Sequence, residues 1–216
     1  MAFIPVKLKT KMSKALVIKK TDYQDTSVII NVINEEGIDS LIVKGAKRKN
    51  SMTLPLTEVL TLIDYETTSS KFKALKEGVV VDNYNSIKED LFKFSIASVA
   101  LDYAFSLKDA IKNEKEFYDL LISFLDELKI TQNPELSLFI FEFILTRLLG
   151  IGIKKEYLIE HYYKGDELLN EIDNLIEGKD IKNKEVMRKF FNDYYKRELG
   201  LTLRSKKVYL SLCLEE

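Results

Sequence analysis

The stretch IVKGAKRKNS, residues 42–51, closes an apolar run and then sets Lys44, Lys47, Arg48 and Lys49 within six residues, with no acid between them. Cations this dense on a short loop are suited to holding phosphate oxygens, and Gly45 lets the backbone approach a ligand closely. The same residues also fit a solvated turn between two strands, and both readings stand at this point. Lys7, Lys9, Lys11, Lys14, Lys19 and Lys20 lie in the same part of the chain. Lys19, Lys20, Lys44, Gly45, Lys47, Arg48 and Lys49 are therefore the first candidate nucleic-acid contacts. A second basic cluster, LRSKKVYL at 203–210, holds Arg204, Lys206 and Lys207. It fits either a DNA contact or favourable charge just beyond a helix C-terminus.

Lysine dominates these clusters, with 28 Lys against 5 Arg in the chain. Lysine is a mobile point charge, whereas bidentate reading of bases favours arginine. Binding through such residues is expected to be weakly sequence-specific and strongly salt-dependent, unless the excess only reflects genome composition. Tyr23, Tyr65 and Tyr84 are candidates for stacking on bases. The pairs Tyr162-Tyr163, Phe190-Phe191 and Tyr194-Tyr195 are better suited to a core.

Catalytic patterns are missing. No P-loop, dinucleotide-binding glycine motif or H-E-x-x-H sequence occurs. Cys213 and His161 are the only cysteine and the only histidine, too few for a Cys/His zinc ribbon or an intrachain disulfide. No cofactor, metal or enzymatic activity is expected, and a reducing cytoplasm suits the cysteine usage. The N-terminus lacks the apolar segment of a signal peptide, and the run from Leu136 to Gly152 is too short and too charged to span a membrane.

The elements that must position these residues fall into two halves. Up to about residue 84 the pattern is that of strands: Ala15–Ile18, Val28–Ile33, Ile38–Val43 after a Gly37 turn, Glu58–Glu66, and Phe72–Tyr84 with a kink at Gly78. Five short strands with small turns point to a compact β-barrel like the oligonucleotide-binding folds. From residue 85 the apolar period becomes helical. Ser86 and Glu89 read as a capping box, Asn113 and Asn133-Pro134 as later helix starts, and Asn183 as the cap of a last helix closed by Gly200. Residues 153–182 are harder to read, with a helix possible over Glu167–Ile176. The expected organisation is α+β: a nucleic-acid-binding domain at 1–84 and a helical domain at 85–216. Residues 1–80 carry 13 Lys and Arg against 9 Asp and Glu; subtraction from the whole-chain totals leaves 20 against 25 in the rest. The asymmetry points a polyanion toward the first half.

In this order the elements resemble the bacterial RecO family of recombination mediators. The resemblance rests on Leu16–Ile18, Lys19-Lys20, Tyr23 with Asp25-Thr26, Val28–Ile33, Gly37, and Lys44-Gly45 with Lys47–Lys49. It is carried again at the end by FFNDYYKRELGLTLRSKKVYL. Many relatives have a four-cysteine zinc module after the third helix; here that segment has no cysteine, so the resemblance is to a variant without zinc. It implies a non-enzymatic DNA-repair and recombination protein of the cytoplasm and nucleoid. Such a protein binds single- and double-stranded DNA, anneals strands, and acts with RecR and single-strand-binding protein to load RecA recombinase. A receptor for the acidic tail of single-strand-binding protein needs an apolar groove edged by cations. Phe139, Phe143 and Tyr194 with Arg147, Arg188 and Lys189 are the candidates. The alternative is a barrel-and-helix scaffold or regulator that binds RNA or protein.

Overall fold

In the computed structural model the described residues are 12–68, 73–154, 156, 158 and 165–214. They form two compact units, residues 1–34 with 38–83, and residues 35–37 with 84–216.

The first unit is a five-stranded sheet in the order β3-β2-β1-β4-β5. Its strands are β1 Ser13–Tyr23, β2 Ser27–Asn34, β3 Gly37–Val43, β4 Thr61–Thr67 and β5 Leu75–Asp82. Strand β1 is the centre, antiparallel to β2 on one side and β4 on the other. Alternation along the strands selects the core: Ala15, Val17, Val28, Ile30, Val32, Leu41, Val43, Ile63 and Tyr65 form one buried cluster with Ala46 and Leu56. Leu56 comes from a 3₁₀ turn, Pro55–Thr57. At Gly78 an added Cβ would stand 3.0 Å from the Asp64 carbonyl and 3.4 Å from Leu56. The glycine marks a close approach of β5 to β4 rather than a kink.

Among the described residues, β3 meets the segment just before β5 at one parallel bridge, between Ile42 and Ala74. There the Ile42 N–H donates to the Lys73 carbonyl at 3.0 Å, and Lys73 Nζ lies 2.7 Å from Asp39. The topology is that of an oligonucleotide-binding-like β-domain, as the sequence leads one to expect, but the sheet is not closed into a barrel.

The second unit holds seven helices among the described residues. They are α1 Asn85–Lys88, α2 Leu91–Ser106, α3 Glu114–Ile130, α4 Pro134–Leu148, α5 Gly165–Ile176, α6 Lys184–Leu199 and α7 Arg204–Leu212. The asparagine caps act as expected. Asn113, Asn133 and Asn183 each accept a backbone N–H three residues on, from Glu116, Leu136 and Val186. The Ser86/Glu89 capping box does not form. Instead α1 lasts one turn and α2 restarts behind Asp90, whose carboxylate accepts from Phe92 and Lys93 N–H at 2.9 and 3.0 Å. Nor is α6 the last helix: RSKKVYLSL folds as α7, and Asp102 of α2 accepts the Ser205 N–H at 3.2 Å, capping α7 from a distance.

Helix α7 is bound by two buried carboxylates of α4. Glu142, 1% exposed, pairs with Lys206, 4% exposed. Tyr103 of α2 donates its hydroxyl to Glu142 at 2.7 Å, and Tyr195 of α6 donates to the Glu142 carbonyl at 2.7 Å. The Lys206 ammonium also lies 5.7 and 5.8 Å from the Tyr103 and Tyr195 ring centroids. Burial, and then the Glu142 charge, push both phenols well above their ordinary range. Two turns earlier on α4, Glu135 receives Arg188 Nε and the Tyr209 hydroxyl at 2.7 Å and Lys184 at 3.2 Å. Burial alone works to raise its pKa, but the hydrogen bonds from Arg188, Tyr209 and Lys184 outweigh it and hold the carboxyl below its ordinary 4.5.

Two outcomes are expected. Lys206→Met leaves the Glu142 carboxylate buried and unpaired, and urea unfolding should show a loss of about 3–5 kcal/mol, with the double variant Lys206→Met/Glu142→Leu recovering much of it. Glu135, with its lowered pKa, contributes stability that is present above about pH 4.5 and lost as pH falls through its folded value. Glu135→Gln should therefore flatten the acid limb of a stability-against-pH curve.

Candidate nucleic-acid interface

The loop after β3 is built from an apolar anchor with cations around it. Val43 and Ala46 are buried in the sheet core, at 1% and 0% exposure, while Lys44, Lys47, Arg48 and Lys49 are exposed. The Lys47 N–H donates to the Thr26 carbonyl at 2.9 Å, so the loop is tied to the β1–β2 turn. Arg48 N–H closes a turn on the Gly45 carbonyl at 3.1 Å, and Ser51 N–H closes another on Arg48. Gly45 has φ +70°, and a Cβ there would meet the Arg48 side chain at 3.4 Å. The glycine both reaches the left-handed region and leaves room for that side chain.

Folding also brings acids to a loop that has none in sequence. Lys47 Nζ lies 3.3 Å from Asp22 Oδ2, and Lys20 Nζ lies 2.7 Å from Glu58 Oε1. Lys20 and Asp22 are two residues apart on β1, opposite Ile30 and Val28 of the core cluster. They therefore share the core-side face where it emerges at the rim of the sheet. Lys19, Thr21 and Tyr23 point to the other face, with Lys19 and Tyr23 exposed. Asp22 and Glu58 were missed by the sequence reading. The i, i+2 spacing of Lys20 and Asp22 was a visible signal for the first, but nothing local ties Glu58 to Lys20.

The other candidates divide. Tyr65 and Tyr84 are 4% and 1% exposed and have no free ring face to stack on a base, whereas Tyr23 keeps 37%. In RSKK, Arg204 and Lys207 are exposed, but Lys206 is in the bundle core and is withdrawn as a DNA contact. Among the groove candidates, Phe139 and Tyr194 are buried, at 1% and 3%, and Tyr194 donates its hydroxyl to the Ile151 carbonyl. Arg188 is engaged by Glu135. The residues that come together outside are Phe143, half-buried, and Arg147, whose guanidinium sits 4.8 Å from the Phe143 ring centroid. Ile140 and Ile144 on the same helix are 38% and 37% exposed. Lys189 is exposed. His161, Tyr162, Tyr163, Lys7, Lys9 and Lys11 lie outside the described residues.

Among the described residues no group of three or more His, Cys, Asp and Glu is arranged to hold a metal ion, and no helix is long and apolar enough to cross a membrane.

Residues 8–84, the segment that carries the sheet and the basic loop, match the family described as Recombination protein O N terminal. This segment is therefore similar to the N-terminal domain of the RecO family. It is 26% identical over 145 residues to the DNA repair protein RecO of Listeria monocytogenes serotype 4b, an alignment covering 64% of this chain and 55% of that protein. To the DNA repair protein RecO of Halalkalibacterium halodurans it is 24% identical over 142 residues, covering 64% and 56%. A longer alignment with the DNA repair protein RecO of Oceanobacillus iheyensis is 22% identical over 232 residues and covers 89% of this chain and 90% of the relative. In the first of these comparisons the chain spans about half the length of the relatives it matches.

Because Gly45 stands at positive φ, Gly45→Val is expected to lower stability by about 1–2 kcal/mol, read from urea unfolding. It should also disturb the Arg48 position, visible as a changed amide spectrum confined to residues 44–51.

Proposed function

We propose that the chain is a DNA-repair and recombination mediator whose RecO N-terminal domain holds the sugar-phosphate backbone of single- and double-stranded DNA. The observation that carries this reading is the anchored loop. Ala46 and the Lys47–Thr26 bond fix the backbone, so the exposed side chains of Lys44, Arg48 and Lys49 meet phosphates from a defined base rather than a flexible tail. Lys19, Lys20, Lys47, Arg204 and Lys207 are the further candidate contacts. Backbone contacts by lysine position nucleic acid without reading bases, which suits a protein that must act on any damaged sequence. Two strands held by such contacts have their charge repulsion reduced and their bases free to pair, which is the physical requirement for annealing. No bond-breaking chemistry enters this reading, and it locates the protein in the cytoplasm with the nucleoid.

Lys44→Ala/Arg48→Ala/Lys49→Ala tests the loop. The folded state should survive, since exposed substitutions usually change stability by under about 0.5 kcal/mol. Affinity for labelled oligonucleotides should fall, and the slope of log K against log salt should shrink by about 0.7–0.9 for each lost phosphate contact. Wild-type affinity and slope in the triple variant would remove the loop from the interface.

The same reading gives the protein its partners: RecR, single-strand-binding protein and, through them, RecA. For the acidic tail of single-strand-binding protein, the stripe of Ile140, Phe143 and Ile144 with Arg147 at its end combines apolar surface with a cation for a terminal carboxylate. Titration of a labelled tail peptide into the full chain should show micromolar binding that Arg147→Ala and Phe143→Ala each weaken several-fold. Binding unaffected by both would place the tail elsewhere.

A further inference from the structure

We propose that Asp22 and Glu58 are counter-charges built into the interface, occupying Lys47 and Lys20 in the free protein and yielding them to DNA phosphates. The inference rests on the nucleic-acid reading of the basic loop and concerns how tightly that site binds.

The geometry is specific. Lys20 and Lys47 are the two candidate cations on the core-side rim, and each carries a carboxylate: Glu58 at 2.7 Å and Asp22 at 3.3 Å. Both acids are placed by backbone structure. Asp22 sits in the β1–β2 ladder opposite Val28. Glu58 directly follows the 3₁₀ turn, where Thr57 is buried and its hydroxyl donates to the Leu54 carbonyl at 2.7 Å. The carboxylates therefore wait where a phosphate oxygen would come to meet these ammonium groups. Their side chains are 75% and 52% exposed, so neither pair is locked by burial. Exposed ion pairs of this kind are weak enough for a phosphate to exchange with the carboxylate. The displaced acid then remains close to the bound strand and repels it. Such an arrangement lowers affinity and lets a strand leave, which a protein that hands strands on requires.

The test compares Asp22→Asn, Glu58→Gln and the pair of changes with the wild type, using fluorescent single-stranded and duplex oligonucleotides across a salt series. Each single change should tighten binding by about 2- to 5-fold, the range of an exposed ion pair. The salt slope should stay near the wild-type value, because Lys20 and Lys47 reach phosphates in wild type and variants alike. Glu77→Gln makes the same change in net charge at an exposed position of β5 and should leave both quantities near wild type. Thermal melts check that all variants stay folded. The inference is overturned if Asp22→Asn and Glu58→Gln bind no more tightly than wild type, or if Glu77→Gln gains as much. The loop variant Lys44→Ala/Arg48→Ala/Lys49→Ala, measured alongside, separates the two failures. If it loses affinity while the acid variants gain none, only the counter-charge idea falls; if it binds like wild type, the loop reading falls and takes this inference with it.

Discussion

The helical unit turns on a single buried ion pair. Lys206 and Glu142 are both nearly inaccessible, and a charge withdrawn from water on this scale is tolerated only when its partners are complete. Completion takes four helices: Tyr103 from α2, Glu142 from α4, Tyr195 from α6 and Lys206 from α7. None of the four can move far without leaving a charge or hydroxyl unsatisfied. Glu135 repeats the device at the N-terminal end of α4, gathering Lys184, Arg188 and Tyr209. The apolar layers around these carboxylates, such as Phe139 beside Phe191 and Phe124 beside Phe141, supply the burial. The carboxylates fix which face of α6 and α7 turns inward.

The sheet unit uses charge in the opposite way. Its core is apolar, and cations stay at the rim, fixed by what lies next to them in sequence. Ala46 holds the loop down, so that the charged residues on either side of it are held up. This division answers the question that the KGAKRK sequence raises. The segment is a turn between strands, and its backbone is also constrained enough to present cations as a defined surface. The two descriptions are compatible because the anchoring residues and the charged residues alternate along one short stretch.

The two units therefore place charge by contrasting rules. In the helical unit a lysine is hidden and fully partnered, and its removal is a stability matter. In the sheet unit Lys20 and Lys47 are only loosely partnered, by Glu58 and Asp22, and on the proposed function their removal is a binding matter. Lys206 and Lys207 are neighbours in sequence and fall on opposite sides of this line, because a helix turns about 100° between them.

Periodicity and capping chemistry were legible in the sequence because both act over a few residues. Alternation in β4 marked Thr61, Ile63 and Tyr65 as one buried face, and the asparagines before α3, α4 and α6 marked their starts. The change from strand to helix near residue 84 and the basic character of the β3 loop were equally local. Long-range encounters were not legible. Asp90 displaced the Ser86 cap because α1 lasts only one turn, and the sheet is not closed into a barrel: among the described residues β3 meets the segment before β5 at a single bridge. Tyr65 and Tyr84 lost their stacking role because both became core. Lys206 left the surface because Glu142, 64 residues away, offered it a buried partner. The acids on Lys20 and Lys47 became visible only when β1, the 3₁₀ turn and the β3 loop were folded together. Local patterns reside in the sequence because backbone geometry repeats over two to four residues. The partners of charges are decided by tertiary structure because electrostatic contact depends on distance in space, which the sequence does not state.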